Sequence, residues 1–227
     1  MIQVALIDYE MGNLRSVEKA LEKVGCSVQK VGESFSVQKY DALVLPGVGA
    51  FEIAMQNLKK RKLFKSLLQW LEVDKPFLGI CLGYQLLFES SEEGKNKNIP
   101  GLGLFKGKVK KLSNKKNVKV PHMGWNQIEI YKNSEMKNKR LTGFSGLAAN
   151  EKFVSGIYRK IPKLSYFYFD HSYVPNPMQK EIIATITDYG DVFASSIACG
   201  KLFASQFHPE KSGTLGLQLL KNFTELC

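Results

Sequence analysis

Histidine is scarce in this chain: His122, His171 and His208 are the only three in 227 residues. Any chemistry that needs an imidazole has a short set of candidates. The four cysteines, Cys26, Cys81, Cys199 and Cys227, form no CxxC pair and fall far below the density of a secreted disulfide scaffold. Reduced thiols are therefore expected, and no zinc site or other metal. No apolar run approaches the roughly 18 residues of a membrane span, and the start, MIQVALIDYE, has no basic segment leading into an apolar core. It reads as a first strand, and the expected setting is the cytoplasm, away from membranes. Acidic residues are outnumbered 32 to 21 by basic ones, for a net charge of +11. The lysines are spread over helix faces and two loops, KGKVKKLSNKKNVK and KNSEMKNKR, without a nucleic-acid recognition motif. That pattern reads as a solvated surface, with an anionic ligand or an acidic partner face as the other use of such charge.

With 44% hydrophobic residues the chain can bury a full core, and its length suits a single domain over 1–227. IQVALI, CSVQKV, YDALVLP and PFLGIC read as strands. Between them lie helical stretches: a stripe of Leu14, Val17, Leu21 and Val24 stopped by Gly25, then the long amphipathic segment FEIAMQNLKKRKLFKSLLQWLE, and after PFLGIC a helix at YQLLFES. Strands alternating with helices are most economically joined into a parallel sheet covered on both faces. Beyond about residue 102, strand-like pieces follow one another directly, which predicts antiparallel pairing, with SIACGKLF as a tight hairpin turning at Gly200. A helix closes the chain. Residues 132–164, polar and lysine-rich at first, read as a surface insertion with one short element. The expected fold is α/β, mainly parallel, with an antiparallel region in the second half.

GICLGYQLLFE places Cys81 between Gly79 and Gly83 at a strand-to-helix turn. This is G-x-C-x-G, the sulfur form of a nucleophile elbow, in which the glycines relieve crowding and the helix start favours thiolate. The alternative is a small buried structural cysteine. In ASQFHPEKS, His208 and Glu210 stand two apart on an extended segment, which puts both side chains on one face and lets the carboxylate orient the ring. Together with Cys81 they make a plausible triad. LVLPGVGAFE ends a strand in glycines that can present backbone N–H groups to a developing negative charge.

PGVGAF, GICLGYQLLFE, PHMGWN and FHPEKS, in this order, resemble the class I (triad-type) glutamine amidotransferases and, more narrowly, the glutaminase subunits of imidazole glycerol phosphate synthases of histidine biosynthesis. The resemblance runs from residue 2 to the C-terminal helix except for 132–164, which is longer than such subunits usually carry. It implies that Cys81 attacks the glutamine side-chain amide, His208 moves the proton to departing ammonia and Glu210 orients the histidine. It further implies oxyanion donors at the Val48 and Leu82 backbone, and glutamine held by Gly49, Gln85, Glu93, His171, Ser172 and Tyr173. For His171 a core or backbone-bonded ring is the alternative. No cofactor is implied.

Thiol chemistry does not require PHMGWN. Methionine and tryptophan beside a glycine offer a flat apolar anchor of the kind that dominates protein interfaces, although a tryptophan in a buried strand would read the same way. By resemblance, His122, Met123, Trp125 and Asn126, with Gly12 and Asn13 of the MGN loop, face a barrel-fold synthase that receives the ammonia in a heterodimer. Similar glutaminases serve synthases that amidate sugars or sugar nucleotides in cell-surface polysaccharide pathways, which is the alternative duty. An idle binding subunit is disfavoured by the intact Cys81, His208 and Glu210, and an unrelated cysteine hydrolase by HPE and HMGWN.

Overall fold

The computed structural model describes residues 1–94, 96–113, 118–131 and 151–227. Its first half alternates as the apolar runs predict: β1 (Gln3–Ile7), α1 (Leu14–Lys23), β2 (Ser27–Val31), β3 (Ala42–Leu45), α2 (Phe51–Lys60), α3 (Leu63–Glu72) and β4 (Phe77–Ile80). β1 is flanked by β2 and β3, and β3 by β4, all parallel. Because side chains alternate across a strand, Ala5 and Ile7 enter one core while Val4 and Leu6 enter the other. Both faces are covered, so these strands read as continuous apolar runs. α1 starts where the Asn13 side chain accepts the Ser16 amide, buries Val17, Ala20 and Leu21, and ends before Gly25 at φ +96°.

The amphipathic segment expected over 51–72 is two helices rather than one, because Lys62 takes a left-handed conformation (φ +59°) between α2 and α3. The helix expected at YQLLFES is also corrected: α4 (Leu82–Gln85) is a single turn, and β5 (Phe88–Ser91) follows at once. β5 belongs to a second, smaller sheet in the order β10 (Tyr173–Pro177), β7 (Phe105–Lys111), β5, β6 (Ile99–Pro100).

The main sheet has nine strands in the order β2-β1-β3-β4-β13-β12-β11-β8-β9. The second-half strands are β8 (His122–Ile130), β9 (Leu164–His171), β11 (Ile183–Tyr189), β12 (Asp191–Cys199) and β13 (Leu202–Ser205). β13 joins the two halves, parallel to β4 on one side and antiparallel to β12 on the other. The β12–β13 hairpin turns at Gly200, φ +56°, as expected. The other main-sheet pairings beyond β12 are antiparallel, so the mixed sheet follows the predicted division.

One face of the sheet is packed by α2, α3 and the second sheet, the other by α1, α5 (Glu151–Ile157) and α6 (Gly213–Glu225). Residues 132–150 of the expected insertion lie outside the described residues. Its later part is not a surface feature, since Phe153, Val154, Ile157, Tyr158 and Ile161 are buried. Asn222 of α6 ties this part down by donating to the carbonyls of Ile157 (2.8 Å) and Arg159 (2.7 Å). Among the described residues no helix is long and apolar enough to cross a membrane.

Candidate active site

The chemistry-bearing residues collect at the carboxyl ends of the parallel strands, where such sheets expose their loops. β4 ends at Ile80, and Cys81 follows with φ +53° and ψ −104°, a conformation that costs a residue with a side chain about 1–3 kcal/mol. Hydrogen bonds hold it there: the Cys81 N–H donates to Ser205 O (2.8 Å), and its carbonyl accepts from Tyr84 (3.1 Å) and Gln85 (3.2 Å). The flanking glycines are steric requirements. A Cβ on Gly83 would stand 1.8 Å from Leu45 O, and one on Gly79 3.0 Å from the Ala204 Cβ. Since α4 is one turn long, the macrodipole expected to favour thiolate reduces to a few local N–H groups.

Beyond β13 the chain runs through Gln206 and Phe207 to His208, whose N–H donates to Tyr168 O at 2.9 Å. His208 and Glu210 are not both on an extended segment, as expected. His208 is extended, but Pro209–Lys211 form a 3₁₀ turn, and this turn brings the carboxylate back onto the ring. His208 Nδ1 lies 2.8 Å from Glu210 Oε1, with the side chains only 2% and 3% exposed. Burial opposes the charged ring, but the Cys81 sulfur and the Glu210 carboxylate outweigh it and push His208 up to about 10. Its Nε2 is buried without a conventional hydrogen-bond partner, although Cys81 is close enough to act on the ring.

Cys81 lies against a pocket of about 470 Å³. Val48, Gly49, Leu82, Gln85 and Glu93 line it, and so do His171, Ser172 and Tyr173. The sequence reading missed Ala50, Pro121 and Asp170, which also line it. Glu93 Oε2 accepts from the Phe51 N–H at 2.8 Å; burial raises its pKa, and that hydrogen bond partly offsets the rise. Gln85 Nε2 donates to Tyr173 O (2.9 Å) and to Gln206 Oε1 (3.2 Å). Both ring nitrogens of His171 are occupied, Nδ1 by Tyr173 O and Nε2 by His122, each at 3.1 Å. This side chain therefore offers a ligand no free hydrogen-bonding atom.

Leu82 N–H, one of the two expected oxyanion donors, is engaged with Gly47 O at 3.2 Å. Gly47 leaves no space for a side chain, because a Cβ would meet Tyr9 Oη at 2.1 Å. Gly49 sits at φ +103°. The loop is thus tightly packed at Gly47 and takes at Gly49 a left-handed conformation that favours glycine.

Of the residues expected on a partner face, Gly12 and Asn13 are exposed, as are Met123 (62%) and Trp125 (56%). His122 is not on that face. It is 2% exposed and stacks between Tyr189 and Phe169, with centroids at 3.8 and 4.7 Å. Strand alternation explains the difference, since 123 and 125 point out where 122 points in. Asn126 is partly buried, its amide donating to Asp188 O at 3.0 Å. Gln206, with Nε2 3.5 Å from Cys81 Sγ, is a site residue that sequence reasoning did not identify.

Residues 5–226 match the family model for glutamine amidotransferase class-I. The imidazole glycerol phosphate synthase subunit HisH of Thermosynechococcus vestitus is 43% identical over 224 residues, 98% of this chain and 96% of that one. The subunit of the same name from Acinetobacter baylyi is 43% identical over 225 residues, 99% and 98% of the two chains. Among solved structures, the crystal structure of a glutamine amidotransferase superposes with a TM-score of 0.68 at 18% identity, covering 98% of this chain and 97% of that one. The structural match speaks for the fold alone, whereas the sequence matches run nearly end to end; on that footing the chain belongs to the class I glutamine amidotransferases.

Proposed function

We propose that this chain is the glutaminase subunit of an imidazole glycerol phosphate synthase, hydrolysing L-glutamine to glutamate and ammonia and passing the ammonia to a barrel-fold synthase subunit in histidine biosynthesis. The observation that carries the mechanism is the buried His208–Glu210 pair acting on Cys81, which lines a pocket large enough for glutamine.

Cys81 Sγ, its proton taken by His208, attacks the side-chain carbonyl of glutamine. As the tetrahedral adduct collapses, the C–N bond breaks, and His208 returns the proton to the leaving nitrogen, which departs as ammonia. Water, deprotonated by the same imidazole, then cleaves the glutamyl thioester to release glutamate and the thiol. Glu210 holds the ring in the tautomer and orientation that both steps need. Glu93 supplies the negative charge suited to the α-ammonium group of the substrate. The adduct's oxyanion needs a donor, and for Leu82 N–H to serve, its bond to Gly47 O must open. Rotation of the loop carrying Val48 and Gly49 is the simplest way to achieve this, and partner binding is the natural trigger.

The near end-to-end likeness to HisH chains favours the histidine pathway over a synthase that amidates sugars. Met123 and Trp125 offer the docking anchor. The deciding experiment is Cys81→Ser assayed with the barrel subunit: glutamine-dependent synthesis should vanish while added ammonium still supports turnover. If ammonium does not restore turnover, ammonia donation is the wrong mechanism.

A further inference from the structure

Two sets of hydrogen bonds, one from β8 and one from the sulfur, meet at the Tyr173 carbonyl, which accepts from both. The first starts at Asn126. The Gln127 N–H donates to Asn126 Oδ1 at 2.7 Å, and Asn126 Nδ2 donates to Asp188 O at 3.0 Å, so two backbone groups fix which end of this amide is oxygen. The remaining Nδ2 proton meets His122 Nε2 at 3.2 Å, so that nitrogen is an acceptor and the ring proton sits on Nδ1. Nδ1 then donates to His171 Nε2 at 3.1 Å, which places the His171 proton on its own Nδ1, directed at Tyr173 O, also 3.1 Å away. Burial holds both rings in their neutral forms, pushing His122 down to about 4 and His171 well below its usual value.

Tyr173 O also accepts from Gln85 Nε2 at 2.9 Å, which fixes the Gln85 amide. Its second Nε2 proton meets Gln206 Oε1 at 3.2 Å. The other end of the Gln206 amide, an N–H donor, is therefore aimed at Cys81 Sγ, 3.5 Å away. Flipping Gln206 would set donor against donor at Gln85 and oxygen against sulfur at Cys81. Gln206 is fully buried, so a mispaired amide there would have no water to turn to.

We propose that Gln206 is a further catalytic residue, whose side-chain N–H stabilises the Cys81 sulfur as its negative charge develops. The role rests on the reading of Cys81 as nucleophile. An N–H donor favours thiolate over thiol, because the bond strengthens as the acceptor becomes charged. Among the described residues, His208 beyond β13 and Tyr9 beyond β1 act on the sulfur from other directions, the Tyr9 hydroxyl being kept protonated by burial and by Cys81 itself, and the Asp170 carbonyl of β9 stands 3.8 Å from Sγ as an acceptor for the thiol proton.

The test is the pH dependence of Cys81 alkylation by iodoacetamide, followed by peptide mass spectrometry, with Cys227 as an internal reference; that residue is exposed, but burial of its sulfur pushes the thiol up to about 12, so its own reaction sets in at higher pH. In Gln206→Met the Cys81 midpoint moves to higher pH and its rate at pH 7 falls roughly ten- to a hundred-fold, the range for a hydrogen bond to a charged group, while Cys227 is unchanged. Should Gln206→Met fail to fold, the double change Gln85→Met with Gln206→Met removes the orphaned amide, and the same shift is expected. A folded Gln206 variant whose Cys81 profile overlays the unsubstituted protein overturns the catalytic role. Glutamine-dependent turnover surviving in Cys81→Ser would instead remove the nucleophile assignment, whatever the alkylation profiles show.

Discussion

His208 Nδ1 lies 2.8 Å from Glu210 Oε1, and both side chains are almost wholly buried. This contact decides which ring nitrogen is left for the sulfur. With the Nδ1 proton directed at the carboxylate, Nε2 is the atom that, in the proposed mechanism, takes the thiol proton and returns it to the leaving nitrogen. Glu210→Gln keeps the shape but lets the amide present either a donor or an acceptor. Glutaminase kcat is expected to fall by roughly 10²–10⁴-fold, the scale seen when a triad carboxylate becomes an amide. KM should change little, because Glu210 does not line the pocket. Steady-state glutamate release by the assembled complex measures both.

A second prediction follows from the occupied Leu82 N–H. If Leu82 N–H is an oxyanion donor, as proposed, its bond to Gly47 O denies the isolated chain one such contact, and each is worth about 10²–10³ in rate. Glutamate release by the isolated chain should therefore be lower by at least about 10²-fold than in the complex with the barrel subunit bound to its own ligand. Full turnover by the chain alone would contradict it.

Gly83→Ala is expected to be among the most damaging single changes. The added Cβ would stand 1.8 Å from the Leu45 carbonyl, a backbone atom that cannot move without shifting β3. A loss of about 3 kcal/mol or more is expected, read as a lower urea midpoint or as failure to accumulate folded protein.

Trp125→Ala separates folding from assembly. The ring is 56% exposed and meets Tyr168 edge-on, centroids 6.3 Å apart. The melting temperature of the isolated chain should scarcely move, while the complex should weaken by about 2 kcal/mol or more, or roughly 30-fold in Kd, as for a buried aromatic anchor. Titration calorimetry with the barrel subunit distinguishes the two effects.

The buried histidine pair predicts acid sensitivity. His122 is held neutral down to about 4, whereas an exposed histidine takes up its proton near 6.5. Below 6.5 the unfolded chain therefore binds protons that the folded chain refuses. The stability this group contributes is complete above that pH and is lost as the pH falls toward 4; His171, also depressed, acts in the same direction. Urea midpoints between pH 7 and 4 should decline, with a shallower slope in His122→Phe.

The elbow at Cys81 and the alternation of the first half were legible because each carries a local signature: glycines two residues either side of the cysteine, and apolar runs bounded by turns. Leu86, Leu87 and Phe88 were misread because a short, fully buried apolar run has no periodicity to separate helix from strand. The break at Lys62 carries neither glycine nor proline, so nothing in the sequence marks its left-handed backbone. His122 was recoverable, since period-two alternation through HMGWN puts it opposite Met123 and Trp125. Gln206 was not, because its partners Gln85 and Cys81 are brought to it only by the parallel register of β13 on β4, where Ser205 pairs with Ile80.

That same strand has a consequence for biosynthesis on the ribosome. Cys81 leaves the exit tunnel long before residues 202–205, yet β13 must be inserted between β4 and β12, in the middle of the sheet, before His208 can reach the thiol. A nascent chain, or one clipped ahead of this strand, carries a cysteine without its base. On the proposed mechanism, ammonia release therefore waits until β13 is in place.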